Sequence, residues 1–311
     1  MKKRIVFMGT PFFASEVLEH LHQMESIEVV GVVAQPDRKM SRRKKIVYSE
    51  VKEVALRENL TLFQPEKVKD LVNELKTLNP DKIITCAYGQ FLPQAILDFG
   101  VLNIHASLLP KYRGGAPMQH AIMNGEKTTG ITLMESVLKM DAGPIYCKKE
   151  VEIDELDTLT SLELKLIQAS KDLLDESLLG IVKGDIKAIP QDESQVTFSF
   201  TIKKEDEFID FNRPVVDVYN HIRALIEVPC GYSLLDGKRI KFCQVELGET
   251  SIESDPSLIT FNQPDYFEVN AIDGSIKVIE CQLEGKQRQK AVDIYNGYQQ
   301  QFHLKRLNDE N

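Results

Sequence analysis

Over its first 150 residues the chain alternates short, β-branched apolar runs with helical patterns, and that alternation leaves few folds open. Arg4–Gly9, Glu28–Ala34, Lys82–Ala87 and Val101–Ala106 read as buried strands. Helices are predicted over Ser15–Met24, with Ser15 as cap, and over Val51–Asn59 and Val68–Leu78. Strands separated by helices predict a parallel sheet with helices on its faces. Two further β-like runs, Gly130–Val137 and Ile145–Ile153, are joined by a loop around Lys139-Met-Asp-Ala-Gly, and Leu159–Lys183 carries a long amphipathic helix pattern. The expectation is an α/β, Rossmann-like N-terminal domain.

The pattern changes after Gly184. Residues 184–197 are polar and carry Pro190, which reads as a linker. A helix pattern over Pro214–Ile226 is followed by short strands at Leu234–Leu235, Arg239–Gln244, Glu268–Asn270 and Ile276–Gln282, with turns at Asp236-Gly237 and Asp273-Gly274. A small C-terminal β-barrel is expected. The boundaries read as 1–184 for the first domain, 185–203 for the linker and 204–311 for the second.

Composition narrows the classes. No run is long enough to span a bilayer, and Ile5–Met8 is too short for a signal-peptide core, so a cytoplasmic protein is expected. The five cysteines (Cys86, Cys147, Cys230, Cys243, Cys281) are widely spaced without a Cys-x-x-Cys pair, which points to reduced thiols rather than bridges or metal ligands. A net charge of −9 argues against indiscriminate coating of nucleic acid. The first strand leads into Gly9-Thr-Pro-Phe-Phe-Ala-Ser15, where only Gly9 of a Gly-x-Gly-x-x-Gly fingerprint is present. Phe12 and Phe13 stand where a pyrophosphate needs close backbone approach, so nicotinamide and flavin binding are disfavoured. The turn either packs two aromatics or offers a contact surface to a large ligand.

Residues 101–117 carry the chemistry. Asn103, His105 and Ser107 alternate along a strand and share a face. The run then breaks into a loop punctuated by Pro110, Gly114, Gly115 and Pro117. An Asn-x-His pair at the carboxyl end of an apolar strand lies where open α/β sheets place ligands. The amide can donate to a developing oxyanion, and the imidazole can move a proton. Asp141, in a turn between two strand-like runs, would orient that imidazole, fix its tautomer and stabilise its charged form. Such a set needs no metal and no protein nucleophile, and it suits amine attack on an activated acyl carbon. Taken singly, a strand histidine is more often a satisfied core group, and a turn aspartate usually caps its own backbone.

Asn-x-His-x-Ser-Leu-Leu-Pro-x-Tyr-Arg-Gly, followed by the turn with Asp-Ala-Gly, resembles the signature of formyltransferases that use 10-formyltetrahydrofolate. The resemblance implies that Asn103, His105 and Asp141 are the catalytic trio. It implies too that Ser107, Leu108, Leu109 and Pro110 line the folate site, and that Tyr88 and Leu92, in Tyr88-Gly-Gln-Phe-Leu92, help wall the pterin pocket. Beyond the motif, residues 4–300 are similar to the methionyl-tRNA formyltransferase family: the opening Arg-Ile-Val-Phe-Met-Gly-Thr-Pro-Phe-Phe-Ala, Gln35-Pro-Asp-Arg38 and the ending Glu284-Gly-Lys…Tyr295-Asn-Gly-Tyr298 carry that likeness. In that family the second domain is an oligonucleotide-binding-type barrel that helps hold tRNA.

Arg38–Lys45 holds six cations among eight positions. Such a run is either a solvated charged loop or a phosphate-contacting one. The resemblance implies the second: Arg38, Lys39, Arg42, Arg43, Lys44 and Lys45 would meet the acceptor end of a tRNA. Three departures stand out. This loop lacks the family's glycine and proline near positions 39–43, Val228-Pro-Cys-Gly-Tyr232 replaces an aromatic-Pro-Gly turn, and Asp-Ala-Gly replaces Asp-Thr-Gly.

The function implied is transfer of a formyl group from 10-formyltetrahydrofolate to the α-amine of methionyl initiator tRNA, by a monomer without a metal. The rivals are a formyltransferase acting on a small amine, such as an amino-sugar nucleotide or glycinamide ribonucleotide, and a non-catalytic folate- or RNA-binding protein.

Overall fold

A computed structural model describes residues 1–39, 46–226, 228–250 and 254–308. The chain folds into two compact units. The first holds residues 1–117, 128–152 and 163–199, and the second 118–127, 153–162 and 200–311.

The first unit is built on strands β1 (Lys3–Gly9), β2 (Ile27–Val33), β3 (Arg38–Lys39), β4 (Ile46–Val47), β5 (Leu62–Phe63), β6 (Lys82–Cys86), β7 (Val101–His105), β8 (Arg113–Gly114), β9 (Thr128–Glu135), β10 (Ile145–Glu152) and β11 (Phe198–Ser199). Seven of them form one sheet in the order β10-β9-β7-β6-β1-β2-β5. The five strands from β7 to β5 pair in parallel, as the alternation predicts. β9 runs antiparallel to both β7 and β10; residues 136–144, which join β9 to β10, are too few for a crossover between parallel strands. Chain order reverses between β1 and β6, which creates the crevice where doubly wound sheets receive ligands.

Helices α1 (Phe12–Gln23), α2 (Glu50–Arg57), α3 (Val72–Leu78) and α4 (Gln94–Leu97) connect the parallel strands. Ile5, Val6, Phe7 and Met8 are all fully buried, so β1 is covered on both faces. Ser15 does not cap α1. It lies inside the helix, buried, and its hydroxyl donates to the Phe12 carbonyl at 2.8 Å, a back-bond available only where the helix has already begun. Ser49 does cap α2, accepting from the Lys52 N–H at 3.3 Å. The predicted helix over Val68–Leu78 is a 3₁₀ turn, Val68–Leu71, continued by α3. Gly9 is required by packing: a Cβ there would lie 2.6 Å from the Ala14 Cβ and 2.9 Å from the Cys86 carbonyl oxygen. Phe13 is buried beneath this turn while Phe12 is exposed.

Helices α5 (Pro117–Met123) and α6 (Leu159–Lys183) follow; from Glu163 on, α6 belongs to the first unit. There Lys171 pairs with Glu16 at 2.7 Å and Asp175 with His20 at 2.9 Å, fixing α6 to α1. The polar stretch after Gly184, linker-like in composition, stays with this unit as far as Ser199: Ile189 bridges Ile145, and β11 pairs with β8.

The second unit comprises α7 (Val215–Arg223), β12 (Tyr232–Leu235), β13 (Lys238–Thr250), β14 (Ile259–Thr260), β15 (Phe267–Ala271), β16 (Gly274–Leu283), β17 (Arg288–Lys290) and α8 (Ala291–Phe302). The strands form an antiparallel sheet ordered β12-β13-β16-β15-β14, with β17 on β16. β12 and β13 close on Asp236-Gly237, both in the left-handed region, as a two-residue hairpin demands. Register slips along β13 bend it, and the expected small barrel is a curled half-barrel. Its core packs Val215, Val218 and Ile222 of α7 and Ile294 and Phe302 of α8 with Ile240, Phe242 and Phe267. No helix among the described residues is long and apolar enough to cross a membrane.

Candidate functional site

Asn103 and His105 lie on β7, with Ser107–Pro110 following its carboxyl end and Tyr88 following that of β6, whereas Asp141 comes from the loop between β9 and β10, which leaves β9 opposite the start of β7. Asn103 and His105 share one face of β7, between β6 and β9, opposite Thr85, Met134 and Thr132 in the ladder. Thr85 Oγ1 donates to Asn103 Oδ1 at 2.8 Å. That bond commits the amide oxygen to the neighbouring strand and leaves the Nδ2 donors to point elsewhere.

His105 is buried, and its Nε2 lies 2.9 Å from the Tyr112 carbonyl oxygen. A carbonyl only accepts, so Nε2 carries the proton in the neutral ring. Nδ1 then holds the lone pair, and it is Nδ1 that faces Asp141 Oδ2, 3.8 Å away. The tautomer is therefore set by the Tyr112 backbone and not, as the residue types alone suggest, by the carboxylate. Asp141 instead lies where it stabilises a ring that has received a proton at Nδ1.

Asp141 takes a left-handed backbone conformation, φ +49°, which aspartate tolerates better than most residues. Three hydrogen bonds hold this turn. The Gly114 N–H donates to Oδ2 at 2.9 Å, and Gln191 Nε2 donates to the carbonyls of Asp141 at 2.8 Å and Gly143 at 2.7 Å. Gly143 must be glycine, because a Cβ would lie 1.7 Å from the Glu135 carbonyl oxygen. Gln191 is in turn gripped by the fully buried Arg113, whose Nε and Nη2 reach Oε1 at 3.0 and 2.8 Å. Arg113 also pairs with Glu193 at 2.7 Å. Its guanidinium, helped by Lys139, holds the Glu193 carboxyl down at about 2.

The segment from Ser107 to Pro110 is fixed from within. The Ser107 hydroxyl donates to the Lys111 carbonyl at 2.7 Å, and the fully buried Thr132 donates to the Ser107 carbonyl at 2.6 Å while accepting from the Leu109 N–H at 3.2 Å. Lys148 reaches the Leu109 carbonyl, and burial lowers its ammonium from the usual lysine range. Ser107 and Leu109 are wholly buried, whereas Leu108 and Pro110 are half-buried. Tyr88 follows β6 at the sheet's reversal point. Its carbonyl accepts from Thr10 at 3.0 Å and Gln35 at 2.9 Å, joining the loops after β1, β2 and β6. Its ring packs with Ile96 and Leu97, with Leu92 alongside, and its buried hydroxyl has no hydrogen-bond partner among the described residues. Phe91 beside it is 69% exposed.

Of the basic run, Arg42, Arg43, Lys44 and Lys45 lie outside the described residues. Arg38 and Lys39 are described as backbone only, forming β3 against β4. No group of three or more His, Cys, Asp or Glu side chains among the described residues is placed to hold a metal.

The trio's supports were not legible in sequence. Thr85 reads as one more strand residue, and Gln191 sits in a polar run that looks like a linker. Only Arg113, inside the Tyr-Arg-Gly motif, carried any signal.

Residues 2–178 match the formyl transferase family and residues 201–299 the formyl transferase C-terminal domain. The methionyl-tRNA formyltransferase of Malacoplasma penetrans is 43% identical over 95% of this chain and 93% of its own. That of Streptococcus agalactiae is 41% identical over 94% and 95%. Among solved structures, HypX from Aquifex aeolicus in complex with tetrahydrofolic acid superposes with a TM-score of 0.66 at 18% identity over 95% of this chain. The chain spans 47% of the HypX length, and that likeness concerns the fold.

Proposed function

Because this chain belongs to the formyl transferase family, we propose that it transfers the formyl group of 10-formyltetrahydrofolate to the α-amine of methionine esterified to initiator tRNA. The observation that carries this reading is the contact between His105 Nδ1 and Asp141 Oδ2, with Asn103 on the same face of β7 as His105. The bound folate supplies an activated formyl carbon. Asn103, its oxygen tied to Thr85, turns its amide N–H toward the oxygen that gathers negative charge as the amine adds. His105 Nδ1 would take the proton released by the amine and return it to the folate nitrogen as that nitrogen's bond to the formyl carbon breaks, and Asp141 stabilises the imidazolium in between, held between its carboxylate and the Tyr112 carbonyl.

The residues present fit the folate. A pteridine is flat, apolar on its faces and polar on its edge. The loop after β6 combines the half-buried Leu92 and the exposed Phe91 with the buried, unpartnered Tyr88 hydroxyl. Leu108 and Pro110 offer the adjoining apolar surface, which Ser107 and Leu109 anchor from beneath. We assign catalysis to the N-terminal domain, 1–184, and tRNA holding to the C-terminal domain, 204–311, together with the loop of Arg38, Lys39, Arg42, Arg43, Lys44 and Lys45. The density of cations in that loop supports phosphate contact. We infer that it acts as a monomer and, because charged tRNA is its substrate, in the cytoplasm.

The test offers the formyl donor with three acceptors in parallel: charged initiator tRNA, charged elongator tRNA and a small amino-sugar nucleotide. Formylation of the first alone is expected. Preferential formylation of the small amine would overturn the assignment of substrate.

A further inference from the structure

Cys230 follows Pro229 in the turn after α7, with a left-handed φ of +68°. Its N–H donates to the Leu225 carbonyl at 2.9 Å. Cys243 stands on β13 where the register with β16 slips. Phe242 faces Cys281 and Gln244 faces Glu280, so Cys243 has no partner across that ladder. A bulge of this kind re-aims the extra side chain. Here the two sulfurs lie 3.8 Å apart, and both thiols are free. With Pro229, Lys241, Gln282 and Arg288 they line a cavity of about 210 Å³, room for several water-sized molecules. Lys241 Nζ donates to the Pro229 carbonyl at 2.8 Å, and Arg288 Nη2 to the Cys243 carbonyl at 3.4 Å. Arg288 also pairs with Glu280.

We propose that Cys230 and Cys243 form a peroxide-reactive dithiol that closes to a reversible disulfide, fastening the turn after α7 to the bulge of β13. Bond formation shortens their 3.8 Å separation to the roughly 2 Å of a disulfide. The oxidant is a hydroperoxide. The Cys243 thiolate attacks one peroxide oxygen, so an S–O bond forms and the O–O bond breaks; the departing oxygen takes a proton as water or an alcohol. The Cys230 sulfur then attacks the sulfenic sulfur of Cys243, forming the S–S bond and releasing a second water. Two thiols lose two electrons in total, and one peroxide gains them.

The order of the two cysteines follows from their surroundings. Hydrogen bonding with Cys230, with the nearby charges of Arg288 and Lys241, lowers Cys243 from the usual thiol range against the opposing effects of burial and Glu280. Cys230, whose thiol donates to the Phe242 carbonyl at 3.1 Å, is pushed up by its hydrogen bonding with Cys243 and by burial. Cys281, wholly buried one strand away, is raised to about 12 by desolvation and stays inert.

The test treats the full-length protein with hydrogen peroxide, blocks remaining thiols and maps its peptides by mass spectrometry. The expected product is a single species lacking two hydrogens, linking residues 230 and 243, and reverting with dithiothreitol. Iodoacetamide should label Cys243 about tenfold faster than Cys230. In Cys230→Ser, the sulfenic acid at Cys243 should persist and be trapped by a cyclic dione; in Cys243→Ser, Cys230 should stay unmodified. Linkage of any other pair, or an unoxidised 230–243 pair under conditions that oxidise a free thiol peptide, overturns the proposal. The peptide map of the unaltered chain decides this even if a variant fails to fold.

Discussion

Replacing Asp141 by asparagine removes a charge while keeping the shape of the site. The Gly114 N–H needs an acceptor at the Oδ2 position, so the amide oxygen takes that place and the turn survives. What disappears is the attraction between a carboxylate and an imidazolium at 3.8 Å. Coulomb's law gives that attraction about 1 kcal/mol in a water-like medium and about 4 kcal/mol at an effective dielectric of 20. The side chains are only 7% and 16% exposed, which favours the larger figure. The interaction exists only once His105 has accepted its proton, so the loss falls on kcat, by roughly 5- to 10³-fold, and not on KM. The ring tautomer should not change, because Tyr112 sets it. Steady-state kinetics with both substrates varied, beside a thermal melt, measure the effect. An Asp141→Asn enzyme with native stability and kcat within twofold of the unaltered enzyme would refute the reasoning.

Four further outcomes are expected. Asn103→Ala should bind folate normally in a direct titration yet lose roughly 10²–10³ in kcat, the usual effect of deleting an oxyanion donor. Thr85→Val, which strips the 2.8 Å bond from Asn103, should cut kcat about two- to tenfold, and Thr85→Ser should restore it; equal kcat in both would show that Asn103 needs no such support. Gly143→Ala, whose Cβ has no room beside the Glu135 carbonyl, should lower both the melting temperature and kcat. Neutralising Arg42, Arg43, Lys44 and Lys45 should raise the KM for tRNA and flatten its salt dependence by up to about three in log–log slope; an unchanged slope removes the loop from the interface.

The strands of the first sheet were readable because a strand buried on both faces must be apolar throughout, and Ile5–Met8 and Val101–Leu102 advertise that burial without any partner being known. Leu159–Lys183 was legible for a similar reason: twenty-five residues of helical periodicity outweigh local ambiguity. Where a single polar residue had to decide, the reading failed. Ser15 resembles a cap, yet helix α1 had already started at Phe12. Helix α8 went unread, since Ala291–Phe302 mixes polar and apolar residues and gains its order from packing Ile294 and Phe302 into the second core.

By itself, then, the order of residues determined the layered α/β architecture, the β-rich second unit and the sharing of one strand face by Asn103 and His105, because those depend on periodicity and on residue chemistry along one stretch of chain. Only the tertiary structure decided which ring nitrogen of His105 is free, what holds Asn103, and why Gln191 and Arg113 matter to Asp141. Each of these is a hydrogen bond between atoms whose distance in space bears no fixed relation to their distance in sequence: 18 residues separate Thr85 from Asn103, and 50 separate Gln191 from Asp141. Periodicity can say which face a side chain takes, but the partner waiting there is chosen by the fold.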